Sequence, residues 1–148
     1  MNTPVSTLLH EKGITVYHAR PDTTVRDAVR QMNDHHVGAL VVTRGERPVG
    51  MFTERDVLMR IVAAGLDPDS TPVEAVMSRR LTVIRPETTV DEAMAIITRE
   101  RHRHLPVVDA DKRLVGMISI GDLMRWIVRD EESRIQNLNE YIWGGNPS

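Results

Sequence analysis

The 148-residue sequence contains no cysteine, which excludes a disulfide framework, a thiolate metal site and a cysteine nucleophile. Aromatic residues are scarce at 3%, so Val, Ile, Leu, Met and Ala must fill the interior. No run approaches the eighteen or so apolar residues of a membrane span, and residues 1–9 lack the basic and apolar regions of a secretion signal. Charge of one sign is not in excess either. The formal net charge is -2 and the pI about 6.3, without the broad basic footprint of a nucleic-acid or lipid-surface binder. These absences predict a cytoplasmic, soluble chain with no nucleic-acid partner and no membrane partner.

What is present is the hydrophobic share (41%) and charged share (27%) of an ordinary globular protein. A chain of about 150 residues typically buries roughly 68–70% of its unfolded surface, enough for a proper core. That core is written twice. Pro21-Asp22-Thr23-Thr24-Val25-Arg26-Asp27-Ala28 is answered by Pro86-Glu87-Thr88-Thr89-Val90-Asp91-Glu92-Ala93, and Gly50-Met51-Phe52-Thr53-Glu54-Arg55-Asp56 by Gly116-Met117-Ile118-Ser119-Ile120-Gly121-Asp122. The offset is 65 for the first pair and 66 for the second, so one residue has entered in a turn, residues 44–48 against 109–113.

Each repeat follows one grammar. A short extended piece (14–18; 81–84) runs into a proline and two threonines, which read as a helix start. Val25, Ala28, Val29 and Met32, echoed by Val90, Ala93, Met94 and Ile97, give each first helix one apolar face. Two short strands joined by a polar turn follow (39–43 and 49–52; 105–108 and 114–118). The closing helix carries Val57, Leu58, Ile61 and Val62, or Leu123, Met124, Ile127 and Val128. The predicted fold is α/β of the α+β kind, two β-α-β-β-α repeats packed as a pseudo-twofold pair. The predicted divisions are residues 1–66 (repeat 1 with an N-terminal extension), 67–75 (linker), 76–130 (repeat 2) and 131–148 (C-terminal helix and tail). Ile135, Leu138 and Ile142 extend the last helix until Gly144-Gly145, with their apolar side left to this chain or to a partner.

The duplicated glycine-to-aspartate stretch carries the chemistry. Its hydroxyl and carboxylate come together at the positive end of a helix, where they form a capping box or hold a polar ligand. A carboxylate accepts two hydrogen bonds and so suits the vicinal hydroxyls of a ribose, while a hydroxyl with helix amides suits phosphate. His102 and His104, two apart on a strand, share a face, but no third metal ligand lies nearby in sequence. No catalytic residue and no metal site is expected: the sequence lacks a nucleophile elbow, a P-loop and a dinucleotide glycine fingerprint.

The whole set resembles a pair of CBS domains, the regulatory modules named after cystathionine beta-synthase. The resemblance rests on Arg20-Pro21-Asp22-Thr23-Thr24-Val25, on Arg103-His104-Leu105-Pro106-Val107-Val108-Asp109 and on the two glycine-to-aspartate stretches, and spans residues 14–130. It implies two clefts between the repeats that take AMP, ADP, ATP or NAD, or S-adenosylmethionine, and a homodimer that signals to a separate effector protein. It also implies that Asp56 and Asp122 hold ribose, that Thr53 and Ser119 bond ribose or phosphate, and that the backbone at Met51 and Met117 reads the adenine edge. Arg55 belongs to the same stretch. By the same resemblance Asp56 shares a cleft with Thr88, His102, Arg103 and His104, and Asp122 shares one with Thr23, Val37, Gly38 and Ala39. The first cleft is then the cationic one and the second the roomier. The alternative readings are a dimerisation module with empty clefts and a nucleotide-processing enzyme.

Overall fold

The computed structural model describes residues 3–13 and 16–142, with side chains described as far as residue 138. The chain opens with α1 (Val5–Lys12) and then runs through β1 (His18–Ala19), α2 (Val25–His35), β2 (Ala39–Arg44), β3 (Arg47–Thr53) and α3 (Glu54–Asp56), which continues as a π-helical stretch (Val57–Val62). A 3-10 turn (Val73–Ala75) leads to α4 (Val90–Glu100), β4 (His104–Val108), β5 (Leu114–Ser119) and α5 (Ile120–Ile142). The fold is α+β and the two halves repeat each other.

The repeat extends to its irregularities. Thr24 and Thr89 cap α2 and α4, each side-chain oxygen accepting from the N–H three residues on, at Asp27 and Glu92. Both helices bury the expected face (Val25, Ala28, Met32; Val90, Ala93, Ile97), and both end on a residue in the left-handed conformation, His36 and Arg101. The β2–β3 and β4–β5 pairs are antiparallel and each breaks register at the same place, between Val42 and Thr43 and between Val107 and Val108. Thr43 pairs with Pro48 but Val108 with Leu114, so the extra residue does lie in the second turn, where Lys112 adopts a φ of 65°.

The opening strands are shorter than the sequence suggests. β1 has two residues, parallel to β2, and its counterpart shrinks to a single bridge between Ile84 and Val107. The N–H groups of Arg20 and Arg85 bond to the hydroxyls of Thr23 and Thr88, which ends each piece in a turn through its proline. Residues 14 and 15 of the expected first strand lie outside the described residues.

Among the described residues, three apolar clusters form the core. Each half's core borrows a segment from beyond the half: Val73 of the expected linker, with Val76 and Met77 from the start of the expected second repeat, enters the first, and Val5, Leu8 and Leu9 of α1 enter the second. Close contact at two glycines makes this possible. A Cβ on Gly50 would lie 2.3 Å from the Met77 sulfur, and one on Gly116 would lie 2.7 Å from a Leu9 methyl. The third cluster joins the halves through Ala39, Val41 and Met51, with Val16, Leu81, Leu114 and Met117 packed on it.

The closing helices depart most from expectation. Of the four apolar residues expected to face the core in the first, Ile61 is buried and Val57 packs beside it, whereas Leu58 and Val62 are 63% and 67% exposed. In the second, Leu123 is buried and Ile127 half-buried, but Met124 and Val128 face solvent. The wider π turn, with Ala63 bonding back to Leu58 and Leu66 to Ile61, departs from the 3.6-residue period used to place that face. α5 then runs on without a break, and every side chain from 131 to 138 is exposed, so this part of the helix does not pack on its own body. Gly144-Gly145, the expected stop, lies outside the described residues.

Candidate functional site

Each β-strand pair ends at a helix start that satisfies its own amides. Thr53 Oγ1 accepts from the Asp56 N–H (3.3 Å) and Asp56 Oδ2 from the Thr53 N–H (2.9 Å); Ser119 and Asp122 repeat the pattern at 3.1 and 2.8 Å. These capping boxes consume one oxygen of each carboxylate. The other is what could meet a ligand. At Asp56 the Oδ1 atom has Arg60 no nearer than 3.9 Å. At Asp122 it receives Arg125 at 2.6 Å, and its Oδ2 receives Lys12 at 2.7 Å as well.

The first cavity, about 90 Å³, is bounded by Met51, Thr53 and Asp56 from one half and by Ser78, Arg80, Thr82, His102 and His104 from the other. So the structure brings Asp56 to two of the three residues at the β4 entry. Arg103 is exposed and not among the lining residues, and Arg55 is exposed on the first turn of α3. Thr88 is not there either: its hydroxyl serves the Arg85 turn and its carbonyl receives the Val5 N–H. Ser78, Arg80 and Thr82 carry no signal in the sequence beyond their position at the start of the second repeat.

The second cavity, about 220 Å³, lies between α1 and α5 and is bounded by Leu8, Glu11, Lys12, Asp122, Arg125, Trp126 and Arg129. The indole N–H of Trp126 is buried without a hydrogen-bond partner among the described residues, a donor that a ligand could satisfy. None of the expected neighbours of Asp122 lines this cavity. Thr23 holds the Arg20 turn, Val37 packs in the first core, and Gly38 lies against the Glu54 carboxylate with its carbonyl taking the Glu54 N–H. Among residues 37–39, Ala39 alone shares a cluster with Met117. The carbonyls of Gly38 and Arg103 each accept the first N–H of their own repeat's helix, at Glu54 and Ile120. Cations therefore gather at the second aspartate as well as the first, through Lys12 and Arg125.

Backbone edges differ too. The N–H and C=O of Met51 both pair with Ser78 (2.9 Å each), whereas the Met117 carbonyl accepts from the Lys12 ammonium at 2.9 Å. Titration follows these contacts. Burial opposes the charge on Asp122, but the hydrogen bonds from Lys12 and Ser119 outweigh it and hold the carboxyl below its ordinary value. His104 is pushed down, first by burial and then by the fields of Lys12 and Arg103.

A family model for the CBS domain matches residues 12–63 and again 73–129. The chain belongs to the CBS domain family. Its relatives include the mitochondrial CBS domain-containing protein CBSX3 of Arabidopsis thaliana, 45% identical over 84% of this chain. The chain spans 62% of that protein's length. Among solved structures, a protein with CBS domains from Burkholderia ambifaria is 36% identical and superposes with a TM-score of 0.81, covering 86% of this chain and 96% of the other. The CBS domain protein PAE2072 from Pyrobaculum aerophilum, complexed with AMP, is 30% identical with a TM-score of 0.71 over 80% of this chain and 88% of its own. Among the described residues of the present protein, no helix is long and apolar enough to cross a membrane.

Proposed function

We propose that this CBS pair is a regulatory module that binds an adenine nucleotide between its repeats and passes the occupancy to a separate effector protein. One observation carries the reading: the two helix-start carboxylates, each with an oxygen beyond its capping box, sit on cavities walled by parts from outside their own strand pair. Basic and imidazole groups line the first cavity (Arg80, His102, His104), as a phosphate requires. The AMP bound by the Pyrobaculum relative supports the ligand class. AMP, ADP, ATP, NAD and S-adenosylmethionine all share the adenosyl part that such a cleft would hold.

A cavity of 90 Å³ is well below the roughly 300–1,000 Å³ of typical small-molecule pockets. A nucleotide must therefore widen it, and a ligand that favours the widened form shifts the population toward it. That coupling is the signal. The apolar strip left bare on the closing helices (Leu58, Met59, Val62, Met124, Val128) is the surface on which we place a second copy of the chain.

Thermal unfolding with each of the five ligands tests the nucleotide reading. A ligand at a hundredfold excess over its dissociation constant adds about 2.7 kcal/mol, roughly 5 to 10 °C for a chain of this size. The shift shrinks in Asp56→Ala and Asp122→Ala. A flat response to all five sinks the sensor in favour of the dimerisation module, and turnover of bound nucleotide restores the enzyme alternative.

A further inference from the structure

We propose that Lys12 is an internal occupant of the second cleft, which the adenosyl part of a ligand must displace from Asp122 and Met117. The proposal rests on the nucleotide reading above and adds a gate to one of its two sites. The Lys12 ammonium bonds the Asp122 carboxylate at 2.7 Å and the Met117 carbonyl at 2.9 Å. Those are the carboxylate and the strand-end backbone to which that reading gives the ribose and the adenine. A single side chain stands in for both.

The two halves show why this contact is exchangeable. In the first half, the strand-end carbonyl at Met51 is held by the Ser78 N–H, part of a two-bond backbone bridge that leaves only if the chain itself moves. In the second half the same acceptor is held by an ammonium on a flexible four-carbon stem, 38% exposed. The stem's base is fixed. Val5, Leu8 and Leu9 anchor α1 in the second core, the Val5 and Ser6 N–H groups bond to the Thr88 and Pro86 carbonyls, and Lys12 is the last helical residue before Gly13 at φ 93°. The ammonium can thus leave Asp122 while α1 stays docked. Arg125 continues to compensate the carboxylate from its other oxygen, so the exit of Lys12 does not strand a bare buried charge. The nearest cation to the carboxylate of Asp56, Arg60, stands at 3.9 Å, so the first cleft has no comparable occupant among the described residues.

The test is calorimetric titration with adenosine, which has no phosphate to attract the released ammonium, in an Asp56→Asn background that silences the first cleft. Lys12→Met keeps the stem and removes the charge; adenosine affinity at the second cleft should rise about tenfold. Lys12→Arg keeps a cation in place and should bind as the parent does. Unchanged or weaker adenosine binding in Lys12→Met overturns the gate, as does an equal gain in Lys12→Arg. If the wild-type chain gives no thermal shift with any adenosyl ligand and Lys12→Met binds no adenosine, the nucleotide reading falls and the gate falls with it. Binding that ignores Lys12 removes the gate alone.

Discussion

His104 is tied to both clefts. It lines the cavity beside Asp56, pairs across the sheet with Ser119, and feels the charge of Lys12 in the second cleft. Its burial and the two neighbouring cations favour the neutral imidazole, so its value in the fold lies below the usual histidine value of about 6.5. The sign of the consequence follows. Above about pH 6.5 the ring is neutral in both folded and unfolded chains; below it, the unfolded chain takes up the proton more readily, and stability falls until the folded value is passed. An NMR titration of His104 should therefore give a depressed value, and Lys12→Met should move it up toward the ordinary one. A His104 that titrates at or above 6.5 contradicts the burial and the Lys12 contact together.

At the scale of elements, the decisive piece is α1. Periodicity within each repeat does not recruit it, since its apolar residues complete the core of the half that lies farther along the chain. The corresponding gap in the first half is filled by Val73, Val76 and Met77. Leu9→Ala removes a buried side chain from the Gly116 contact, and a loss of about 2–5 kcal/mol is expected in denaturant unfolding. The same change loosens the anchor of Lys12. A loss below 1 kcal/mol would show that α1 is not part of the second core. The closing elements carry the opposite lesson: Leu58 and Val62 have core-like spacing in sequence but face outward while Ile61 makes the buried contact, and Met124 and Val128 do the same on α5 beside Leu123.

At the scale of the whole molecule, the bare residues of the π-helical stretch and of α5 form equivalent strips on the two halves, Leu58 and Val62 matching Met124 and Val128. A second copy would cover them. Leu58→Asp combined with Val128→Asp should convert the chain from dimer to monomer in sedimentation equilibrium, with little change in the fold because neither residue is buried. A wild-type monomer at micromolar concentration would remove the homodimer from the proposed function.

Much of this organisation is legible in residues alone. Pro-x-Thr-Thr before an apolar helix, and glycine to aspartate across a strand end, are local signals. They set caps, turns and helix faces within a few residues, and their recurrence declares the duplication. The two helix-start carboxylates are legible for the same reason. What surrounds each of them is not, since the wall of a cleft is assembled from segments distant in the chain. Ser78, Arg80 and Thr82 approach Asp56 from the start of the second repeat, and Lys12 reaches Asp122 across 110 residues of sequence. No local preference encodes such a meeting. It is decided when α1 and the connector dock into the cores of opposite halves, and that docking gives two nearly identical motifs unlike surroundings.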